Sequence, residues 1–226
     1  MYLPFFMPYK AYINISMLGE NFVRKCLSEK VQHDPWPHTV TENHLPQESF
    51  DKLLRTCQPL LEIKLKDMPT YKTTTENHIV PRHFKDFGID WHDEIHDISE
   101  HIYKNARILC DVFPEHRWFK NLCVSAYVGV TPPKPYDHVI HQETQIKIWS
   151  SVTYVTPEHN CGTMMYRQAT KESFVKEAPW KPNTSMIFTG VEHKTWHSYN
   201  STEDSNRITL NFFIKDRDKV KEYFYP

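Results

Sequence analysis

Three residues with metal-binding side chains occur in a short ordered series: His141, Glu143 two positions later, and His197 further along the chain. Two imidazoles and one carboxylate can cover one triangular face of an octahedral metal ion and leave the opposite positions open. This donor set is typical of non-haem Fe(II) centres that react with O2. By itself, a His-x-Glu pair is weak evidence in a chain that contains 14 histidines.

An arginine downstream of the second histidine adds a second chemical group. Arg207 follows His197 by ten residues. It begins the sequence Arg-Ile-Thr-Leu-Asn-Phe, in which strand alternation places it on one face with Thr209 and Asn211. A guanidinium and a hydroxyl on one strand can clamp the far carboxylate of a chelating keto acid. Alone, such an arginine fits equally well in solvent or in an internal ion pair. Together with the metal-binding series, it predicts an iron and 2-oxoglutarate site within residues 136–215.

Strand geometry predicts how the ligands reach one metal. Residues two apart on a strand point to the same side, so His141 and Glu143 are expected to share a face. The run at 195–199 around His197 is also strand-like. It can therefore approach the same metal from an opposite sheet.

Three neighbouring residues are weaker candidates for ligands. A strand would turn His138, three positions before His141, to the other face. His193 and His197 have the spacing of a helical zinc pair, but the glutamate of an HExxH motif is absent. Asp137 precedes the histidine and therefore lacks the His-x-Asp register.

Short motifs surround these residues in a fixed order: PWPH and NHLP within 35–46, HQETQIKIWSSVTYVTP at 141–157, CGT at 161–163, NTSMIF at 183–188, WH at 196–197 and RITLNF at 207–212. The series resembles the 2-oxoglutarate/Fe(II) dioxygenases of the prolyl-4-hydroxylase-like type. The resemblance spans about residues 35–215. One residue departs from the commoner family pattern, because Glu143 stands where most members have aspartate.

The resemblance implies a role for six residues: His141, Glu143 and His197 as iron ligands, and Arg207, Thr209 and Tyr127 in binding 2-oxoglutarate. Arg207 would bind the C5 carboxylate, and Thr209 would assist it. Tyr127 would place an aromatic hydroxyl near the co-substrate, although a tyrosine in a strand is more often a core residue. No residue beyond the ligands and the clamp is expected to act as a catalytic acid or base.

These roles imply an Fe(II)- and 2-oxoglutarate-dependent dioxygenase that uses O2, hydroxylates a C–H bond and releases succinate and CO2. The expected substrate is a peptidyl side chain of the prolyl type or a small molecule. Because Glu143 retains a carboxylate at the metal, hydroxylation is expected rather than halogenation. Two alternatives stay open: a non-catalytic cupin-like metal- or ligand-binding module, and a zinc-dependent hydrolase, which would not need Arg207.

The pattern of apolar residues predicts an α+β fold that is mainly β. Helices are predicted in the first half of the chain, at 19–27, 46–61 and 90–110. An entry strand is predicted at 36–45, between the first and second of these helices. Short β-rich runs follow after Pro114, at 122–130, 146–155, 162–166, 185–189, 195–199 and 207–214. The expected architecture is a double-stranded β-helix, or jelly-roll barrel, that N-terminal helices buttress.

Length and composition limit the class of protein. The 226 residues suit one domain, divided into an N-terminal extension (1–35), a helical support region (36–116) and a jelly-roll catalytic core (117–216). A net charge of −1 gives no electrostatic reason to expect nucleic acid or an anionic membrane as a partner. Five scattered cysteines favour a reducing, cytoplasmic location. The opening residues lack the features of a signal peptide.

Overall fold

A computed structural model describes residues 9–64, 77–113 and 121–219 of the chain. The described part forms four α-helices: α1 (Tyr9–Ser28), α2 (Gln47–Cys57), α3 (His92–Lys104) and α4 (Ala106–Asp111). Its strands are β1 (His38–Thr41), β2 (Asn77–Ile79), β3 (Leu122–Thr131), β4 (Tyr136–Asp137), β5 (Lys147–Thr156), β6 (Thr163–Tyr166), β7 (Phe174–Ala178), β8 (Ser185–Thr189), β9 (Trp196–Ser198), β10 (Asn200–Ser201) and β11 (Arg207–Asp216). The fold is α+β, as the sequence predicts.

Two antiparallel sheets build the β part of the molecule. The larger sheet has the strand order β1-β8-β5-β11-β3-β2, and the smaller one has the order β7-β6-β9. Strands β4 and β10 form a separate two-stranded pair. An isolated bridge between His141 and His197 adds one more chain segment beside β9.

Strand β11 lies in the middle of the larger sheet and has two different faces. It pairs with β3 along its whole length and with β5 on its other side. Its even-numbered apolar residues belong to the main hydrophobic core: Ile208, Leu210, Phe212 and Ile214. Its odd-numbered residues line a pocket instead: Arg207, Thr209, Asn211 and Phe213. The alternation predicted from the sequence is therefore present.

The helices cover the core face of the larger sheet. Helix α1 packs against α3, and its buried side chains join the same core as the even-numbered residues of β11. Phe22 of α1 is fully buried, and its ring meets that of Phe212 at 5.1 Å between centroids. Because one face of β11 is sealed in this way, the opposite face is left for polar side chains.

Several element boundaries differ from the prediction. The helix predicted at 90–110 is two helices, because Asn105 leaves the helical conformation (φ −110°, ψ 11°) and its side-chain amide caps the carbonyl of His101. Helix α1 is longer than the segment predicted at 19–27. Strand β7 lies between the β-rich runs predicted at 162–166 and 185–189, where the sequence predicts no strand. Residues 142–146 do not form the expected strand, and His141 makes only a single bridge.

A helix that crosses a membrane needs about 20 predominantly apolar residues. None of those within residues 9–64, 77–113 and 121–219 is both long enough and apolar enough to span a bilayer. The opening residues 1–8, where the sequence predicts no signal peptide, lie outside the described part.

Phe22→Ala tests whether α1 is part of the core. Loss of a fully buried phenylalanine is expected to lower the free energy of unfolding by about 3–5 kcal/mol, because a cavity replaces the ring. Met17→Ala is the control on the same helix, since Met17 is 50% exposed, and it should change the value by less than about 0.5 kcal/mol. Urea denaturation measures both. Equal effects of the two substitutions would contradict the packing of α1 described above.

Candidate functional site

A pocket lies on the polar face of β11, with a volume of about 530 Å³ that includes the solvent at its open side. Every residue that the sequence assigns to the site lines it, and the full lining is Tyr127, His138, His141, Glu143, Lys147, Val152, Thr163, Phe188, His197, Tyr199, Arg207, Thr209, Asn211 and Phe213. The side chains come from both sheets and from the loop before β5. The fold therefore brings together residues that are up to 86 positions apart in the sequence, from Tyr127 to Phe213.

The two histidines lie beside each other and are held in the same way. Their backbones exchange two hydrogen bonds, of 3.0 and 2.8 Å, and their ring centroids are 4.3 Å apart. His141 Nδ1 lies 3.0 Å from the carbonyl oxygen of Val139, and His197 Nδ1 lies 2.8 Å from that of Thr195. A carbonyl can only accept a hydrogen bond, so each Nδ1 carries the proton. In the neutral ring, Nε2 is then the nitrogen with a lone pair, which is the arrangement found at metal-ligating histidines.

The environment keeps His197 neutral. It is 5% exposed. Burial, followed by the neighbouring His141, lowers the pKa of His197 from its ordinary 6.5 to about 3. Neutral imidazole is the form that binds metal ions.

Glu143 is ionised and is held at both oxygens by residues of β5. Ser150 Oγ donates to Oε1 at 3.1 Å, and Lys147 Nζ lies 2.7 Å from Oε2. Burial would raise the pKa of Glu143, but the positive charge of Lys147 and its hydrogen bond to the carboxylate outweigh burial and lower the pKa to about 2. The side chain is therefore a carboxylate throughout the neutral range.

The donor chemistry fits a divalent metal, but the donors do not all lie together. Within the described part of the chain, no group of three or more His, Cys, Asp or Glu side chains is placed to hold a metal ion. The paired histidine rings supply two neutral nitrogen donors. Glu143 supplies an ionised oxygen donor that lines the same pocket but contacts Lys147.

Arg207 is buried and lies among aromatic rings. It is 2% exposed, which excludes the interpretation of an arginine in solvent. Its Nε donates to the carbonyl oxygen of Cys161 at 3.3 Å, and its guanidinium carbon lies 4.8 Å from the ring centre of Trp180 and 4.6 Å from that of Tyr199. Its Nη2 has no hydrogen-bond partner among the described residues. A buried, unsatisfied guanidinium N–H fits a carboxylate ligand, because leaving it without a partner costs free energy.

The remaining residues assigned to the co-substrate line the same wall. Thr209 Oγ1 accepts a hydrogen bond of 2.9 Å from Asn211. A Cβ at Gly129 would lie only 2.8 Å from that same Thr209 oxygen, so the glycine makes room for it. Tyr127 stacks on His78 with a centroid distance of 3.8 Å. Tyr127 is thus both a packed residue and a pocket residue.

One prediction about this site is wrong. His138 was expected to face away from the metal ligands, yet it lines the pocket, with its ring 4.6 Å from that of His141. The reason is that the segment around it is not a regular strand, so alternation does not set its direction. Its ring also stacks on Tyr199 at 4.5 Å.

Sequence reasoning did not assign a role to three residues at the site: Lys147, Trp180 and Tyr199. Lys147 is the fourth residue after Glu143 and the first of β5, but no motif marks it as a partner of the carboxylate. Trp180 and Tyr199 come from different loops and strands, and they meet at Arg207 only in the folded chain.

Solved structures share this architecture. A prolyl hydroxylase from Trichoplax adhaerens, in complex with a peptide fragment of the hypoxia inducible factor oxygen degradation domain, has a TM-score of 0.54 and 11% identity, over 94% of this chain and 95% of that chain. The non-heme α-ketoglutarate-dependent epimerase SnoN of nogalamycin biosynthesis has a TM-score of 0.52 and 11% identity, over 91% and 83%. The chain has the fold of the 2-oxoglutarate/Fe(II) oxygenases.

This likeness confirms the predicted fold, a double-stranded β-helix with N-terminal helices. It also confirms that the fold of this chain is similar to that of prolyl hydroxylases. At 11% identity it shows the fold alone. No protein-family model and no curated protein sequence matches the chain. Any statement about activity therefore rests on the side chains in the pocket.

Acidification is expected to destabilise the metal-free protein between pH 6.5 and about 3. Burial, and next the charge of Lys25, lowers the pKa of His44 to about 3, as happens at His197. In this range the unfolded chain binds protons that the folded chain does not, so the free energy of unfolding falls as the pH falls.

His44→Gln tests this, because His44 is buried against Phe22 and does not line the pocket. The variant should reduce the pH dependence by up to about 1.4 kcal/mol per pH unit, the value for one proton. Urea denaturation at a series of pH values measures the slope. An unchanged slope would show that His44 titrates alike in the folded and unfolded chains.

Proposed function

We propose that this protein is an Fe(II)- and 2-oxoglutarate-dependent dioxygenase that hydroxylates a C–H bond. The observation that carries the proposal is the buried Arg207, whose Nη2 has no partner among the described residues, in the same pocket as two histidines with anchored Nδ1 atoms. Bound iron and 2-oxoglutarate would supply the oxidation by O2, with succinate and CO2 as the products from the co-substrate.

The side chains divide the work of binding between two ends of the pocket. His141, His197 and Glu143 would hold the iron at one end. Arg207 would bind the C5 carboxylate of 2-oxoglutarate at the other, with Thr209 beside it. Arg207 is ten residues from His197 but 64 residues from Glu143 (207 − 143) along the chain, so the pairing of β11 with β3 and β5 brings the clamp and the ligands to one pocket.

The surroundings of the two ends favour these roles. Trp180 and Tyr199 flank the guanidinium, which limits its movement and keeps water from it. Phe188 packs edge-on against His197, with centroids 5.0 Å apart, and shields the imidazole. A carboxylate that binds here would contact a guanidinium that is already desolvated and oriented. Binding would therefore cost little side-chain entropy.

The substrate belongs to one of two classes, a peptidyl side chain of the prolyl type or a small molecule. The peptide bound to the Trichoplax adhaerens enzyme, which has a similar fold, supports the first class. The fold of SnoN, an epimerase of nogalamycin biosynthesis, supports the second. Release of succinate with candidate substrates would distinguish them.

Anaerobic titration with Fe(II) and 2-oxoglutarate tests the proposed function. Chelation of the metal by the keto acid should give a weak visible band at about 500 nm. Arg207→Ala should weaken 2-oxoglutarate binding by about tenfold or more, since it removes a charge-assisted hydrogen bond. Arg207→Lys should bind with intermediate affinity, because it keeps the charge without the fork.

Arg167→Ala is the matched control, because Arg167 lies on the surface in an ion pair with Asp34; its band should match that of the wild type. Metal binding without the band would favour the zinc-dependent hydrolase. Absence of metal binding would favour the non-catalytic cupin-like module. Equal 2-oxoglutarate affinity in Arg207→Ala and wild type would remove the argument for the clamp.

A further inference from the structure

Glu143 is predicted to bind a metal ion, yet its carboxylate contacts a lysine, Lys147. Lys147 Nζ lies 2.7 Å from Glu143 Oε2, while Ser150 donates to the other oxygen. Both partners belong to β5, the strand that follows the loop carrying Glu143. The carboxylate is thus directed toward β5 by two separate contacts.

The environment makes this ion pair strong. The Glu143 side chain is 5% exposed and that of Lys147 is 24% exposed, so solvent screens the pair only in part. The Lys147 ammonium also lies 4.2 Å from the ring centre of Phe213, in a cation–π contact. Phe213 projects from β11 into the pocket, and it fixes the ammonium beside the carboxylate.

A metal ion at the histidine pair would need the same carboxylate. The two imidazoles already lie together, whereas no third His, Cys, Asp or Glu among the described residues completes a metal-binding group with them. Glutamate has one more side-chain torsion than aspartate, which lets its carboxylate change position without movement of the backbone. Lys147 and the metal are therefore alternative partners for one carboxylate.

We infer that Lys147 competes with the metal ion for Glu143 and thereby sets the affinity of the site for a divalent cation. This inference rests on the proposed function, because it takes His141 and His197 as ligands. Lys147 acts here as a positioning residue: it touches neither the metal nor the substrate in this role, and it acts through the carboxylate.

Lys147→Met tests the inference with Co(II) alone as the probe. The substitution keeps an unbranched apolar chain on Phe213 and removes the ammonium. It should tighten Co(II) binding by about tenfold or more, in the range by which residues around metal ligands alter affinity. Isothermal titration calorimetry of the metal-free full-length protein at neutral pH measures the dissociation constant. Thermal denaturation with and without Co(II) gives a second readout, and the cation should stabilise Lys147→Met more than wild type, because its Glu143 lacks the ion pair with residue 147 and keeps only the hydrogen bond from Ser150.

A double-mutant cycle separates competition from the loss of a positive charge near the metal. In a Glu143→Gln background, Lys147→Met can act only through its charge. The gain in Co(II) affinity should therefore shrink to about threefold or less there. Lys147→Arg keeps a cation that can pair with the carboxylate, so its affinity should stay within about threefold of wild type.

The outcomes distinguish this inference from the proposed function. If wild type binds Co(II) and His197→Ala does not, the histidine site stands; equal or weaker binding by Lys147→Met would then overturn the competition alone. A gain that persists undiminished with Glu143→Gln would also overturn it. If His197→Ala and wild type behave alike toward Co(II), the metal site itself is wrong, and the proposed function falls with it.

Discussion

The two faces of β11 are the constraint on which the rest of the structure depends. Ile208, Leu210 and Phe212 pack into the core beneath the helices, and this packing fixes which way the strand faces. A shift of one residue in the pairing would move Arg207 into the core and expose apolar side chains. Burial of the apolar face of β11 therefore also sets the direction of the polar residues on its other face. Those polar residues contribute little to the burial of apolar surface.

The backbone positions the histidines more than their side chains do. The reciprocal hydrogen bonds between His141 and His197 join the chain before β5 to the smaller sheet. Carbonyl groups of Val139 and Thr195 then set the orientation of each ring. This arrangement needs no acidic partner for the imidazoles, so the acid at the site remains available for other contacts.

The site concentrates charges that are costly to bury. Arg207 is surrounded by aromatic rings, and Glu143 is paired with Lys147 in a region with little solvent. Buried charges are retained when each has a partner or a ligand. The Nη2 of Arg207 has no hydrogen-bond partner among the described residues, whereas both oxygens of Glu143 have one. The two charged groups in the pocket thus differ, because the Arg207 guanidinium has an atom without a partner among the described residues, whereas the Glu143 carboxylate is neutralised by Lys147.

The sequence by itself determined the fold class, the alternation along β11 and six of the residues that line the pocket, because strand period and motif spacing are local properties of the chain. It did not determine the break at Asn105 or the direction of His138, since neither segment follows a regular period. Only the tertiary structure placed Lys147 on Glu143, and Trp180 on Arg207. Those contacts depend on the path of the loops and on side chains from different strands that come together in the folded chain. No repeating pattern in the sequence encodes them.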